Sequence, residues 1–185
     1  HCSVRRQRQM CIRDRDDLPE KVIVSDCSSN ILSEPLDVKK FGLIYAGAQK
    51  NIGPAGLAIV IIRKDLIQKR DDLPALMSYQ TYADSESMYN TPPTFAWYLS
   101  GKVFSWLKRN GGLKSIEEIN LRKAKKLYDY IDNSDFYYND VSIESRSIMN
   151  VPFLLNDDSL NDSFLKDSEK AVSYTHLRAH ETGYN

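Results

Sequence analysis

A carboxylate, Asp26, follows the β-branched run Lys21-Val22-Ile23-Val24-Ser25. A lysine, Lys50, stands just past a second apolar run, Gly42-Leu43-Ile44-Tyr45-Ala46, within Gly47-Ala48-Gln49-Lys50-Asn51. In open α/β sheets ligands gather outside the carboxyl ends of the strands. A lysine placed there can condense with an aldehyde once its amine is unprotonated, a state favoured by partial burial or a neighbouring cation. Type and spacing alone leave a second reading open, in which both are ordinary solvated or paired surface charges. Ser28 and Ser29 can either cap a helix or support a site around Asp26 from behind, and the cap is the preferred reading. Asn90 and Thr91 offer amide and hydroxyl donors suited to phosphate oxygens, but ahead of Pro92-Pro93 they equally compose a common turn.

The elements that must position these groups read as alternating strands and helices. The runs at 21–25 and 42–46 are strands, and a third, Leu57-Ala58-Ile59-Val60-Ile61-Ile62, follows the turn Gly53-Pro54-Ala55-Gly56. Gly53 and Gly56 let the backbone pass close to Lys50. Strands apolar on both faces point to a sheet covered by helices. Asp65–Lys69 reads as a short helix, and an irregular stretch then leads to Pro92-Pro93. From Thr94 a helix is expected with Phe95, Leu99, Val103, Trp106 and Leu107 on its apolar face, stopped by Asn110-Gly111-Gly112. Ser115 and Glu118 fit a capping box for a further helix whose apolar side is Ile116, Ile119, Ala124, Leu127 and Ile131. Asp132–Asp135 ends it, Met149–Leu155 reads as a strand, and Leu160–Ala171 as another helix. A second domain is expected to begin near Gly111.

The chain has 185 residues, with Lys+Arg and Asp+Glu equal at 25 each, so its summed field offers no broad basic surface for nucleic acid or anionic membrane. No apolar run reaches membrane-spanning length and the basic opening lacks the apolar core of a secretory signal, so the cytosol is the expected compartment. Cys2, Cys11 and Cys27 have no disulfide or metal spacing and read as reduced thiols. All three histidines, His1, His176 and His180, lie in terminal stretches, residues 1–15 and 172–185, that match neither neighbour and resemble translated sequencing-adapter read-through. The spacing of His176 and His180 would suit zinc on a helix, but further ligands are missing and no metal is expected. Between residues 16 and 171 there is no histidine, which excludes a Ser-His-Asp or Cys-His mechanism there.

The segment VSDCSSNILSEPLDVKKFGLIYAGAQKNIGPAGLAIVIIRKDL, together with MYNTPPTFAWYLSGKVFSWLKRNGG, IDNSDFYYNDV and RSIMNVPFLL, closely resembles the phosphoserine aminotransferases, class-V aminotransferases of the fold type I pyridoxal-phosphate superfamily. The resemblance covers nearly all of residues 20–171. It implies an α/β fold: the C-terminal part of a three-layer α/β/α cofactor-binding large domain at 16–110 and the start of an α+β small domain at 111–171, with residues 1–15 and 172–185 as non-native ends. It also implies pyridoxal 5'-phosphate as cofactor, with Lys50 as the lysine that holds it covalently. Asp26, 24 positions earlier, matches the acid that pairs with the pyridine nitrogen. Gln49 matches a cofactor contact, and Asn90 and Thr91 match residues that reach the cofactor phosphate from the neighbouring subunit, so a homodimer with shared sites is implied.

The activity implied is transfer of an amino group from glutamate to 3-phosphohydroxypyruvate in serine biosynthesis, with a related phosphorylated intermediate of pyridoxine biosynthesis as a further substrate in bacteria. The family's preceding segment, which supplies a phosphate-binding turn, a ring-stacking aromatic residue and a substrate-binding arginine, has no counterpart here. The chain alone is therefore expected to be inactive. The alternative is a truncated, non-catalytic dimerisation or interaction fragment, against which the joint retention of Asp26, Gln49 and Lys50 speaks.

Overall fold

The computed structural model describes residues 22–171. The chain divides into two compact units, residues up to 125 with Ser142–Val151, and Lys126–Val141 with the residues from Pro152 on. His1, His176 and His180, and Cys2 and Cys11, lie outside the described residues.

The first unit is built on a three-stranded sheet in the order β1 (Val24–Asp26), β2 (Leu43–Gly47), β3 (Ala58–Ile62). β1 and β2 are parallel, with Asp26 opposite Tyr45, whereas β2 and β3 are antiparallel, with Tyr45 opposite Val60 and Gly47 opposite Ala58. Because successive side chains alternate across a strand, Ile44 and Ala46 fall on one face with Ser25, and Asp26, Tyr45 and Val60 on the other. The first face carries the core: Ile44, Ala46, Cys27, Ile31, Ala48 and Ile52, backed by Leu32, Phe41, Leu57 and Ile59. Fully burying a side chain such as Ile44 or Ile52 contributes about 1.5–3 kcal/mol. The opposite face is half open, with Val24, Tyr45 and Val60 all exposed within this chain.

Three helices follow, α1 (Tyr79–Asp84), α2 (Thr94–Arg109) and α3 (Gly112–Asp132). Pro92 and Pro93 bar helix upstream and leave the Pro93 carbonyl to accept the first bond, from the Trp97 N–H at 3.0 Å. α2 ends where expected, with the Asn110 N–H bonded to Trp106 and Leu107 carbonyls. Its buried face differs from the hydrophobic pattern. The buried residues are Ala96, Ser100 and Leu107, while Phe95 is 71% exposed and Trp106 49%. Small side chains four apart let the helix approach the turn at Gly53, where a Cβ would lie 2.6 Å from Ser100 Oγ. Ser100 cannot easily turn away, since it is buried and donates to the Ala96 carbonyl at 2.8 Å.

Ser115 lies inside α3 and does not cap it. Gly111 and Gly112, at φ 87° and 72°, instead make the junction directly after α2, and the helix starts at Gly112. The expected helix over Asp65–Lys69 is only a 3-10 turn at Lys64–Leu66, where Arg63 pairs locally with Asp65 at 2.8 Å. So short a segment gains too few bonds to sustain an α-helix.

In the second unit a small ribbon, β4 (Tyr137–Tyr138) and β5 (Leu154–Leu155), pairs antiparallel, and α4 spans Asn161–Lys170. Tyr128, Ile131 and Leu155 are its buried residues, and beside them Tyr137 meets Phe136 and Phe153 edge to face, with ring centroids 4.8 and 5.3 Å apart, and Phe164 joins them. The expected strand from Met149 shrinks to two residues. Pro152 has no N–H to donate, and Ser147 Oγ takes the N–H groups of Met149 and Asn150, both at 3.1 Å, folding that stretch into a turn.

Two outcomes follow for the full-length protein. Gly53→Ala should lower stability by about 1–3 kcal/mol in denaturant unfolding, and adding Ser100→Ala should recover most of that loss, because the obstructing atom is Ser100 Oγ. Cys27 is 3% exposed, and burial together with the charge of Asp26 holds its thiol above the ordinary value despite a hydrogen bond with Ser25. Alkylation at neutral pH read by peptide mass should therefore modify Cys27 only after denaturation. Its proton leaves the unfolded chain first as pH rises, so its contribution to stability is whole below about pH 8.5 and is lost as pH climbs through the higher folded value. Cys27→Ala should flatten that alkaline slope.

Candidate active site

β1 delivers Asp26 to its carboxyl end and β2 delivers the loop that holds Lys50, as the sequence suggests for neighbouring parallel strands. Beyond Asp26 the chain turns back, with the N–H groups of Asn30 and Ile31 bonded to the Cys27 carbonyl at 3.1 and 2.8 Å. No helix follows. Leu32 adopts φ 64°, in the left-handed region a bulky side chain rarely visits, and ends the turn. The cap reading of Ser28 and Ser29 is thereby overturned. Ser28 N–H donates to Asp26 Oδ1 at 2.9 Å, Ser28 Oγ accepts from the Gly47 N–H at 2.9 Å, and Ser29 Oγ accepts from Lys50 Nζ at 2.7 Å. Both serines serve the loop that carries the lysine.

Further bonds fix this pair of loops. Asn51 Nδ2 donates to the Ile31 carbonyl at 3.0 Å, and Asn120 Nδ2 on α3 donates to the Ser33 carbonyl at 2.9 Å. The lysine loop closes on itself, with the N–H groups of Ile52 and Gly53 reaching the Ala48 carbonyl at 3.1 and 2.8 Å. Gln49 folds its amide over Gly47, where a Cβ would collide with it. Lys50 is half-buried and Asp26 exposed. Among the described residues no ion pair joins them.

Tyr45 stands beside Asp26, although spacing alone does not single it out. Its register partnership with Asp26 puts both on one face of the sheet, and burial first, then the charge of Asp26, push its hydroxyl above the ordinary value. The alternation along β2, once aligned with β1, was the signal that could have found it.

Asn90 and Thr91 are not gathered with Asp26, Gln49 and Lys50. They line a cavity of about 670 Å³ over β3, with Val60, Tyr79, Trp97 and Phe104 among its other walls. Both are exposed, and the backbone just before them passes through Glu86 and Ser87 at φ 49° and 66°. Chemically, the first group offers an amine and a carboxylate held apart on one rigid pair of loops, and the second offers neutral hydrogen-bond donors on an exposed segment.

Comparison with known proteins gives this arrangement its context. A phosphoserine aminotransferase of Acinetobacter baylyi is 60% identical over 149 residues, which is 80% of this chain and 42% of that protein. The structure of phosphoserine aminotransferase from Bacillus circulans subsp. alkalophilus superposes with a TM-score of 0.79 at 43% identity, over 84% of this chain and 44% of that one. The PLP-bound phosphoserine aminotransferase from Trichomonas vaginalis superposes with a TM-score of 0.76 at 38% identity, over 84% and 45%. The chain thus spans less than half the length of the relatives it matches, and its α/β fold is the corresponding part of theirs. The family model for aminotransferase class-V matches residues 17–179, nearly the whole chain, and the chain belongs to that family.

Proposed function

We propose that the whole protein containing this chain is a pyridoxal-phosphate-dependent phosphoserine aminotransferase, moving an amino group between glutamate and 3-phosphohydroxypyruvate for serine biosynthesis in the cytosol. The observation that carries this reading is the joint placement of Lys50 and Asp26 by one turn at the carboxyl ends of two parallel strands. It gains weight from the 60% identity to a named phosphoserine aminotransferase.

The residues present fit the cofactor. A pyridine aldehyde needs an amine at its aldehyde and an acid at its ring nitrogen, and the site holds one of each without pairing them to each other. When bound, the cofactor supplies a protonated ring that withdraws electrons from the substrate α-carbon. Asp26 is the acid that would hold the ring nitrogen and keep its proton there. Ser28 N–H holds Asp26 Oδ1, which fixes the orientation of the carboxylate. Lys50 Nζ is the amine that would hold the cofactor and the base that would move a proton at the substrate α-carbon. Gln49, next to Lys50 in the chain, would contribute a further cofactor contact.

Asn90 and Thr91 are read as donors to the cofactor phosphate of a second copy, in a homodimer whose sites are shared. They line a cavity whose walls do not include Lys50, which supports this, as does the aromatic surface of α2, with Tyr98 59% exposed.

In the full-length protein, borohydride reduction with pyridoxal phosphate should attach the cofactor to the Lys50 peptide and to no other, and Lys50→Ala should abolish the label and lower kcat by about 10³-fold. Labelling elsewhere would sink the proposal. Asp26→Asn should lower kcat by about 10²-fold while changing cofactor affinity far less. Mixing inactive Lys50→Ala protein with an inactive Asn90→Ala/Thr91→Ala variant should restore activity, because each mixed dimer regains one intact site. Sites complete within a single chain would restore none.

A further inference from the structure

We infer that Ser29 is a positioning residue for Lys50, an inference that rests on the reading of Lys50 as the cofactor lysine. Its hydroxyl receives the lysine amine whenever that amine is not bonded to the cofactor, and so keeps Nζ beside the reacting carbon and away from Asp26.

The geometry of the turn carries the argument. Ser29 Oγ accepts from Lys50 Nζ at 2.7 Å, a length typical of a charge-assisted bond. Ser29 lies three residues after Asp26, and the residue just before it, Ser28, is tied at both ends: its N–H to Asp26 and its Oγ to the Gly47 N–H. The position of Oγ is therefore set by the same turn that sets the carboxylate. Asn51 next to Lys50 clamps the far side of that turn through the Ile31 carbonyl, so Lys50 and its acceptor cannot drift apart as separate loops would. A lysine side chain has four carbons of freedom, and one with no acceptor would spread over many rotamers, some reaching toward the carboxylate that must stay with the ring nitrogen. A hydroxyl suits the task because it is neutral. It holds the cation without competing with it for charge and releases it without leaving a buried ion behind.

Three variants of the full-length protein test this: Ser29→Ala, Ser29→Thr and, should the alanine variant fail to fold, Ser29→Cys as the near-isosteric weak acceptor. In cofactor-free protein, acetylation of Lys50 by acetic anhydride, read by peptide mass, should run about threefold to tenfold faster in Ser29→Ala and at the wild-type rate in Ser29→Thr. In cofactor-loaded protein, kcat should fall about tenfold in Ser29→Ala with KM within twofold, and Ser29→Thr should restore it. The melting temperature should change little, which separates positioning from folding. Wild-type rates of acetylation and turnover in Ser29→Ala would overturn the inference while leaving the function proposal intact. Failure of borohydride to label Lys50 in the wild-type protein would instead remove the function proposal itself.

Discussion

The hydrogen bonds that stitch the turn after β1 to the loop after β2 are what the rest of this site depends on. Two adjacent parallel strands end together, but the chain leaving each is free to go anywhere, and reactive groups on two independent loops would hold no fixed separation. Here three bonds join the loops, from Gly47, Lys50 and Asn51 to Ser28, Ser29 and Ile31, and Asn120 fastens the first loop to α3. Two of the acceptors are backbone carbonyls and one donor is a backbone N–H, so three of these four bonds tie a side chain to main chain. Each such bond contributes only about 0.5–1.5 kcal/mol net. Together they fix a distance, which matters more here than their sum.

That arrangement has a conformational cost. Leu32 takes a left-handed conformation worth about 1–3 kcal/mol of strain, and it persists because its side chain packs against the core around Ile31 and Ile52. The lysine loop is compact for a related reason. Gly47 leaves room for the Gln49 amide, and Gly53 lets α2 approach until Ser100 is in contact with its backbone. Larger side chains at either position would move the loop, and Lys50 with it. The small residues of α2 and the glycines of the loop are two sides of one contact.

Much of this was legible from residues alone, though unevenly. Strand ends carrying Asp26 and Lys50 were readable because β-branched runs stopped at polar and glycine-rich stretches. The start of α2 was readable because two prolines leave one place for it. Its buried face was not, since hydrophobic pattern favours Phe95 and Trp106 whereas close approach selects Ala96 and Ser100. The strand at Met149 failed because Ser147 captures two N–H groups that a ladder needs. The serines after Asp26 were misjudged for a similar reason. A cap and a tertiary acceptor use the same hydroxyl, and only the left-handed Leu32, invisible in sequence, decides that no helix follows.

Magnitudes explain how so modest a group as a hydroxyl can govern a lysine beside a carboxylate. At 4 Å two unit charges attract by about 4 kcal/mol in a partly shielded protein setting but by only about 1 kcal/mol in water. A hydrogen bond to a charged group contributes about 1.5–3 kcal/mol. In a closed pocket the ion pair would win, and Lys50 would collapse onto Asp26. At the open face of this sheet, with Asp26 exposed and already bonded to the Ser28 N–H, the balance moves to the hydroxyl of Ser29. Within this chain, acid and amine are thus kept separate by a partner for each, the Ser28 N–H on Asp26 and the Ser29 hydroxyl on Lys50.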